Sequence, residues 1–414
     1  MLVFKKRDFY KKTVGLKVFK KKGGFFQMKK IIGILLAGAL VTSAFAADVS
    51  AKVKVDGSLF NLDKDGNVSA LKVEHKSEGW NPDLSLSING DRAGASMSFY
   101  YGGDPATVNS KCEEAGCWNN GKDNGWCGHG GKPVVDMANP LASGNKYNTV
   151  AQSYSVWFKP LDMLKVTVGA YATNMNQETI DYSHTETGVD TQGYAIDLNV
   201  DAFFATVFFA PGWGNSWLSA KKDADVEFGQ LYAKAGYGAD FGRIQAMYRL
   251  VDMKNAWTGV GYDNTFGSVK MFVNALAGFG PDKAFAIRGE AFASTNIDAF
   301  GIAAFVAGGY CAKEGVPGGL SGWRIGQPVA DKVSLGATMK LSYALGACTP
   351  YVYVKVPNFL ADDPFTMDIK PGVAGNFGSM GWEVACNVTI NGPKKDGTAG
   401  NFAIDVPVWF SIGF

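Results

Sequence analysis

The chain has few of the residues from which catalytic sites are built. Its 414 residues include only three histidines, His75, His129 and His184. Neither a nucleophile elbow nor a metalloprotease motif occurs, and the carboxylates show no pairing beyond simple alternation. We therefore expect neither an enzyme nor a bound cofactor.

Beyond residue 46 the chain also lacks any apolar run of the ~20 residues that a transmembrane helix needs. Its mean hydropathy of −0.02 is too low for a helical membrane bundle. Membrane strands alternate apolar and polar residues, so they leave little trace in an average. The absence of such a run excludes spanning helices but is compatible with a membrane β-barrel.

One apolar run does occur near the amino terminus, at residues 31–41. It follows the basic stretch Met28-Lys29-Lys30 and precedes Ala44-Phe45-Ala46, a small-x-small cleavage signal. Residues 28–46 are thus predicted to be a secretory signal peptide that is cleaved after Ala46. The less favoured alternative is a retained anchor, for which the run is too short.

Residues 1–27 do not fit this arrangement, because a signal peptide begins at the chain terminus. The sequence Lys21-Lys22-Gly23-Gly24 can be encoded by a purine tract that resembles a bacterial ribosome-binding sequence, and Met28 follows closely. We therefore expect translation to start at Met28, with residues 1–27 a mistranslated upstream leader.

The positive charge of the full sequence lies in this amino-terminal part. Residues 1–46 hold 11 basic residues and one acidic residue, which leaves 29 basic and 37 acidic residues in the remainder. The exported chain then has a formal net charge of −8, so no nucleic-acid partner is expected.

The last thirteen residues, 402–414, show the pattern that organises the rest. Phe, Ile and Val occupy every second position, and mostly small or polar residues lie between them. A period of two predicts a β-strand whose faces meet different surroundings. Such a strand at a free edge invites aggregation, whereas pairing with the first strand of a barrel removes the edge.

The same alternation recurs along the chain in segments of about ten residues, the length of a tilted membrane strand. Tight turns alternate with longer polar loops, of which the longest are 102–148 and 311–332. Residues 47–414 are predicted to be all-β, a single transmembrane antiparallel up-and-down barrel of about 18 strands, with 16 the next choice. The pattern before Ala93 contains one strand too many for this topology. A soluble sandwich is the disfavoured alternative.

The charged residues of the alternating segments fall opposite the apolar face, so they are predicted to line the pore. Facing lipid, each Arg or Lys near the midplane would cost about 2–4 kcal/mol. Basic residues outnumber acidic ones in this set, which favours a weak preference for anions. The set consists of Lys165, Asp197, Lys234, Arg243, Arg249, Lys270, Arg288, Glu290, Lys340, Lys355, Asp368, Lys370, Glu383 and Asp405.

Three of the six cysteines, Cys112, Cys117 and Cys127, lie close together in the long loop. Export permits a disulfide among them, with one thiol left over. Together with His129 they could also be a metal set, but their spacing matches no standard zinc motif. A loop disulfide is therefore favoured, and no metal site is expected.

Several stretches resemble the porin-type outer-membrane barrels of spirochaetes. These are the signal peptide, the segments 63–67 (DKDGN), 80–83 (WNPD) and 156–165 (VWFKPLDMLK), and the final strand ending in Phe414. The resemblance implies that the final strand is the signal read by the barrel-assembly machinery. Phe410, Ile412 and Phe414 would then carry this assembly signal.

These observations predict a porin-like channel in the bacterial outer membrane for passive diffusion of small hydrophilic solutes. Outer-membrane lipid, the assembly machinery and those solutes are its expected partners. One alternative is a plugged, substrate-specific transporter, whose plug only 102–148 is long enough to supply. Another is an adhesin or surface antigen that presents the long loops to host surface molecules. Self-association is left open.

Overall fold

The structure is a computed structural model that describes residues 48–72, 84–101, 150–180, 187–211, 228–252, 255–312, 325–360, 365–393 and 397–413. The described residues belong to one compact unit, Ala46–Phe414. None of the described residues belongs to a helix long and apolar enough to cross a membrane. The predicted leader, the signal peptide, the loop 102–148 with its three cysteines, and Phe414 lie outside these ranges.

Almost every described residue belongs to a strand or a tight turn. A single 3-10 turn, Pro281–Lys283, interrupts the strands. The strand segments are β1 (Asp48–Leu62), β2 (Val68–Lys72), β3 (Leu84–Asn89), β4 (Ala93–Tyr101), β5 (Val150–Leu161), β6 (Leu164–Asn174), β7 (Gly188–Val200), β8 (Phe203–Pro211), β9 (Phe228–Ala239), β10 (Gly242–Asp252), β11 (Asn255–Phe266), β12 (Val269–Phe279), β13 (Phe285–Ile297), β14 (Phe300–Cys311), β15 (Lys332–Tyr343), β16 (Cys348–Val356), β17 (Thr366–Phe377), β18 (Met380–Ala385), β19 (Asn387–Asn391) and β20 (Asn401–Gly413).

These segments form one closed antiparallel barrel of 18 strands, as predicted. Two of the strands consist of two segments each. β2 and β3 follow one another along β1, with Leu62 opposite Val68 and Val53 opposite Leu84. β18 and β19 similarly follow one another between β17 and β20. The strand that seemed superfluous before Ala93 is therefore half of an interrupted strand.

The barrel closes between its first and last strands. Lys52 pairs with Gly413 and Val55 with Phe410, so β20 has β1 on one side and β18–β19 on the other. Pro407 cannot donate to a ladder, and it lies opposite Ser58 where the register of β1 shifts. The missing donor thus coincides with an irregularity of the β1–β20 pairing.

The two ends of the barrel have different connections. One end, here called the short-turn end, carries the first and last described residues and eight turns of two to four residues. The two-residue turns need positive φ, which Asp201 and Asp298 adopt at 51° and Gly267 at 60°. Aspartate and glycine tolerate that conformation, so these residues fix the hairpins. The opposite end, the long-loop end, carries the connections 102–149, 175–187, 212–227 and 312–331.

The outer face of the barrel is apolar. Alternate residues of the strands, such as Ile196, Val260, Val306 and Val352, are exposed on it. Seven of its aromatic residues lie within four residues of a short turn, as in the aromatic girdles of membrane barrels. They are Phe158, Phe203, Tyr237, Phe266, Phe300, Tyr343 and Phe377.

Candidate functional site: the lumen

The strand register places all fourteen predicted lining residues on one face of the sheet. Paired residues of neighbouring strands point to the same side, and that side continues from strand to strand. Lys165 pairs with Asp197, for example, and Lys355 pairs with both Thr338 and Asp368. This side faces the lumen, because residues of distant strands meet on it.

A segment after β6 folds into this lumen. The amide group of Asn176 lies 2.6 Å from Gln245 on β10 and 2.9 Å from Asn274 on β12. Met175 donates its backbone N–H to the Thr187 carbonyl, and Tyr232 donates its hydroxyl to the same carbonyl. Residues 175–180 and 187–189, here called the first inward segment, are thereby held across the inner wall.

A second inward segment, residues 325–328, precedes β15. Its Gly326 carbonyl accepts hydrogen bonds from Arg288 at 3.0 Å and from the Ser334 hydroxyl at 2.8 Å. Gly326 in turn donates its backbone N–H to the Pro357 carbonyl. This segment belongs to the predicted outer loop 311–332, so part of that loop lies inside the barrel.

Apolar residues of the inner wall explain where both segments settle. Phe208, Tyr232 and Trp257 are fully buried and pack in one cluster with Met175 of the first segment. A second cluster contains Ile325 and three inward phenylalanines, with Ile180 packed against it. Burial of these side chains stabilises the folded-in positions.

The two segments are linked through a buried ion pair. Arg288 Nε lies 2.7 Å from Glu290 Oε1, and neither side chain is exposed. Asn274 donates to the other Glu290 oxygen at 3.0 Å, while its own amide contacts Asn176. A continuous polar path therefore runs from the first inward segment to the second along β12 and β13.

Four predicted lining residues border a recess of about 440 Å³ near the short-turn end. Lys165, Asp197, Lys234 and Arg243 converge there with Phe204. Asp197 accepts hydrogen bonds from Tyr171 and Thr206, Lys234 donates to Thr173 and the Asn174 carbonyl, and Arg243 pairs with Asp263. The recess is thus lined by charges of both signs.

Further lining residues lie on the opposite part of the wall. Lys370 and Glu383 form an ion pair of 2.8 Å, and Tyr351 donates to the same carboxylate. Asp368 accepts from Thr389, and Asp405 accepts from Ser58 across the closure. Arg249 and Lys355 are buried in the wall, whereas Lys270 is exposed near a short turn.

Sequence reasoning missed several residues of this lumen. Asp263 and Lys54 face inward, but their strands alternate poorly because glycines interrupt β11 and a register shift interrupts β1. Asn176 gave no signal, since 175–187 reads only as a polar loop. The register of adjacent strands, not composition, identifies these residues.

Among the described cysteines, Cys311 is buried, whereas Cys348 and Cys386 are partly buried free thiols. Among the described residues, no group of histidine, cysteine or carboxylate side chains is arranged to hold a metal ion. Cys112, Cys117, Cys127 and His129 lie outside the described ranges, so their predicted disulfide stays a prediction.

Solved structures of outer-membrane proteins share this architecture. OccAB4 of Acinetobacter baumannii superposes with a TM-score of 0.51 at 10% identity, covering 89% of this chain and 98% of that one. A BenF-like porin of Pseudomonas fluorescens Pf-5 gives 0.50 at 10%, with 89% and 98% covered. The fold is that of the outer-membrane porins.

A third porin-fold structure, Pseudomonas aeruginosa OpdK with vanillate, gives a TM-score of 0.50 at 8% identity, covering 89% of this chain and 99% of that one. No protein-family model matches the sequence, and no curated protein matches it either. At these identities the likeness extends to the fold alone.

Proposed function

We propose that the protein is an outer-membrane channel through which small hydrophilic solutes diffuse passively. One observation carries the proposal: the closed barrel has an exposed apolar outer face and a polar, charged inner face. The apolar outer face can contact lipid, and the polar inner face can contact water. A barrel of this strand number is wide enough for an aqueous path unless something plugs it.

The fourteen predicted lining residues are the proposed pore lining. Nine are basic and five acidic, although the exported chain is acidic overall. Asp263 and Lys54 add one charge of each sign, so the basic excess persists. This excess supports a weak preference for anions. The OpdK neighbour was solved with vanillate, whose name denotes a carboxylate anion.

The two inward segments favour a second candidate, a more selective transporter. They occupy part of the lumen and are fixed to its wall by buried hydrogen bonds. Small pores restrict solutes by size and by the groups that line them. A selective transporter would pass few solutes quickly, whereas an open diffusion channel would pass many at rates that fall with size.

Swelling of liposomes that contain the refolded chain separates these candidates. The proposal expects swelling in sugars and amino acids, with rates graded by solute mass. Swelling for one solute class alone would favour the selective transporter. No swelling and no single-channel current would overturn both, and would leave the adhesin interpretation.

Finer parts of the proposal rest on the sequence. They are kinship with spirochaete porins, translation from Met28, cleavage after Ala46, recognition by the barrel-assembly machinery, and self-association or binding of host surface molecules. Mass spectrometry of the unprocessed precursor tests the start site. Peptides from residues 1–27 would contradict it.

A further inference from the structure

Three inward aromatic rings lie at matching places in the barrel. Trp157 of β5, Phe204 of β8 and Tyr351 of β16 all lie within four residues of the short-turn end. Each is paired directly across the sheet with a glycine: Gly94, Gly236 and Gly372, respectively. The same combination thus occurs at three separate positions on the wall.

The glycines allow the rings to lie flat on the wall. A Cβ built on Gly94, Gly236 or Gly372 would come under 3.0 Å from atoms of the paired ring. Each ring therefore covers the space where a neighbouring side chain would stand. One ring face rests on the neighbouring strand, and the other is turned towards the lumen.

Each ring also has two cations over it. Lys165 Nζ and Lys159 Nζ lie 5.0 and 5.7 Å from the Trp157 centroid. The Phe204 ring has Lys234 Nζ at 5.8 Å and Arg243 Cζ at 5.7 Å. The Tyr351 ring has Lys340 Nζ at 4.6 Å and Lys370 Nζ at 5.8 Å. All six distances are within the range of cation–π attraction.

From this repeated geometry we infer that Trp157, Phe204 and Tyr351 are positioning residues for the channel's anion preference. Each ring contributes to holding a pair of basic side chains at a fixed place on the lumen wall near the short-turn end. Lys165, Lys159 and Lys340 depend most on their rings, because Lys234, Arg243 and Lys370 also have polar partners. The inference rests on the proposed channel function, and it assigns part of the selectivity to residues that carry no charge.

The physical reason lies in the flexibility of lysine. A free lysine side chain spreads its charge over many rotamers and can turn towards bulk water or a neighbouring carboxylate. Attraction to a ring face narrows that distribution. The charge then acts on permeating ions from a fixed place, so its effect on selectivity is greater than the charge count alone implies.

The bilayer test replaces the rings and leaves every charge in place. The variant carries Trp157→Leu, Phe204→Leu and Tyr351→Leu, and reversal potentials are measured in a KCl gradient. The chloride-to-potassium permeability ratio should fall by about twofold to fivefold, the factor equivalent to the ~0.5–1 kcal/mol of an exposed cation–π contact. Restoring rings with Trp157→Phe and Tyr351→Phe beside wild-type Phe204 should recover the ratio.

A matched control changes three aromatic residues of the outer face near the same turns: Phe158→Leu, Phe203→Leu and Tyr343→Leu. These rings face away from the lumen, so the permeability ratio should stay at its wild-type value. An equal fall in the control would assign the effect to general loss of packing and overturn the inference.

A second measurement does not depend on ion flow. In the refolded chain, lysines are converted to ¹³C-dimethyl-lysine and observed by NMR, and Lys165 is assigned with Lys165→Arg. Its methyl signal should lie upfield through the Trp157 ring current and return to the free-lysine position in Trp157→Leu. An unshifted wild-type signal overturns the inference even if the channel conducts. A shifted signal in a chain that passes no ions supports the positioning and refutes the proposed channel function.

Discussion

Among single residues, Arg288 and Glu290 are charged side chains that are fully removed from solvent. Two residues apart on β13, they pair with one another and also hold Asn274 and the Gly326 carbonyl. A buried pair contributes little net stability over an apolar pair, but losing one member leaves an uncompensated charge. We therefore expect the pair to stabilise the fold mainly by holding the inward segments in place, and less by the electrostatic attraction between its two charges.

Glu290→Gln should lower the free energy of unfolding by about 3–5 kcal/mol, because Arg288 would remain buried and charged. Urea unfolding in detergent, followed by tryptophan fluorescence, measures this loss. The control is Asp162→Asn, which breaks the exposed ion pair with Arg92 and should cost at most about 1 kcal/mol. If both variants lost the same free energy of unfolding, burial would not explain the cost of breaking the Arg288–Glu290 pair.

At the tip of the first hairpin, the pKa of Asp63 is held below its ordinary value. The side-chain amide of Asn67 and its backbone N–H both donate to the Asp63 carboxylate. Because the pKa of Asp63 is lowered, the ionised carboxylate stabilises the turn at pH values above the ordinary pKa of an aspartate. This stabilisation is lost as the pH falls through the lowered pKa. Asn67→Ala should raise the Asp63 pKa, as measured by NMR titration of the carboxyl carbon. An unchanged pKa would contradict these contacts.

At the scale of elements, the first inward segment depends on a few amides. Asn176→Ala removes the group that contacts Gln245 and Asn274, leaving buried partners unsatisfied at a cost of about 1–3 kcal/mol. The segment should detach more often, so single-channel conductance should rise and become noisier. Asn391→Ala, which removes an exposed amide contact to Asn401 at the rim, should change neither quantity.

The terminal strand offers a second test at this scale. Phe410 and Ile412 lie on its outer face and pair with β1 and β18, immediately before Phe414. Deleting Phe414 should reduce assembly into the outer membrane, measured as the folded fraction in membrane extracts. Molecules that do assemble should conduct normally. Phe402→Leu, at the other end of the strand, is the control, and normal assembly after the deletion would refute the predicted signal.

For the whole molecule, alternation was enough to predict the fold class and the strand number. Alternation also predicts a lumen-facing position for fourteen charged strand residues, since lipid excludes the opposite register, but it missed Asp263 and Lys54. The extra strand before Ala93 could not be resolved from sequence, because β2 and β3 are separate in the chain and continuous only in space.

The sequence was less informative about the lumen. Phe208, Trp257 and Phe305 are apolar residues that face inward, and the alternation rule gives them no role there. Their function becomes apparent only when the inward segments cover them. Contacts such as Asn176 with Asn274 join strands far apart in the chain, and no local pattern encodes them.

Closure of the barrel can be tested directly by cross-linking. Val55→Cys with Phe410→Cys places two thiols at directly paired positions of β1 and β20, close enough for a disulfide. In a chain whose native cysteines are replaced by alanine, oxidation should give a product that still migrates compactly after boiling in SDS. Val55→Cys with Val406→Cys is the offset control and should not cross-link within one molecule. An uncross-linked first pair would contradict closure.

The same closure sets the order of events in folding. Elsewhere in the barrel, neighbouring strands are joined directly by a turn or a loop. β1 and β20 are not, because Lys52 pairs with Gly413, roughly 360 positions further along the chain. Bringing such distant segments together has a larger entropic cost than forming a hairpin, and contacts of this kind form slowly. β1 therefore spends the longest time with one unpaired edge, so a folding helper that temporarily occupies that edge should accelerate the last step most.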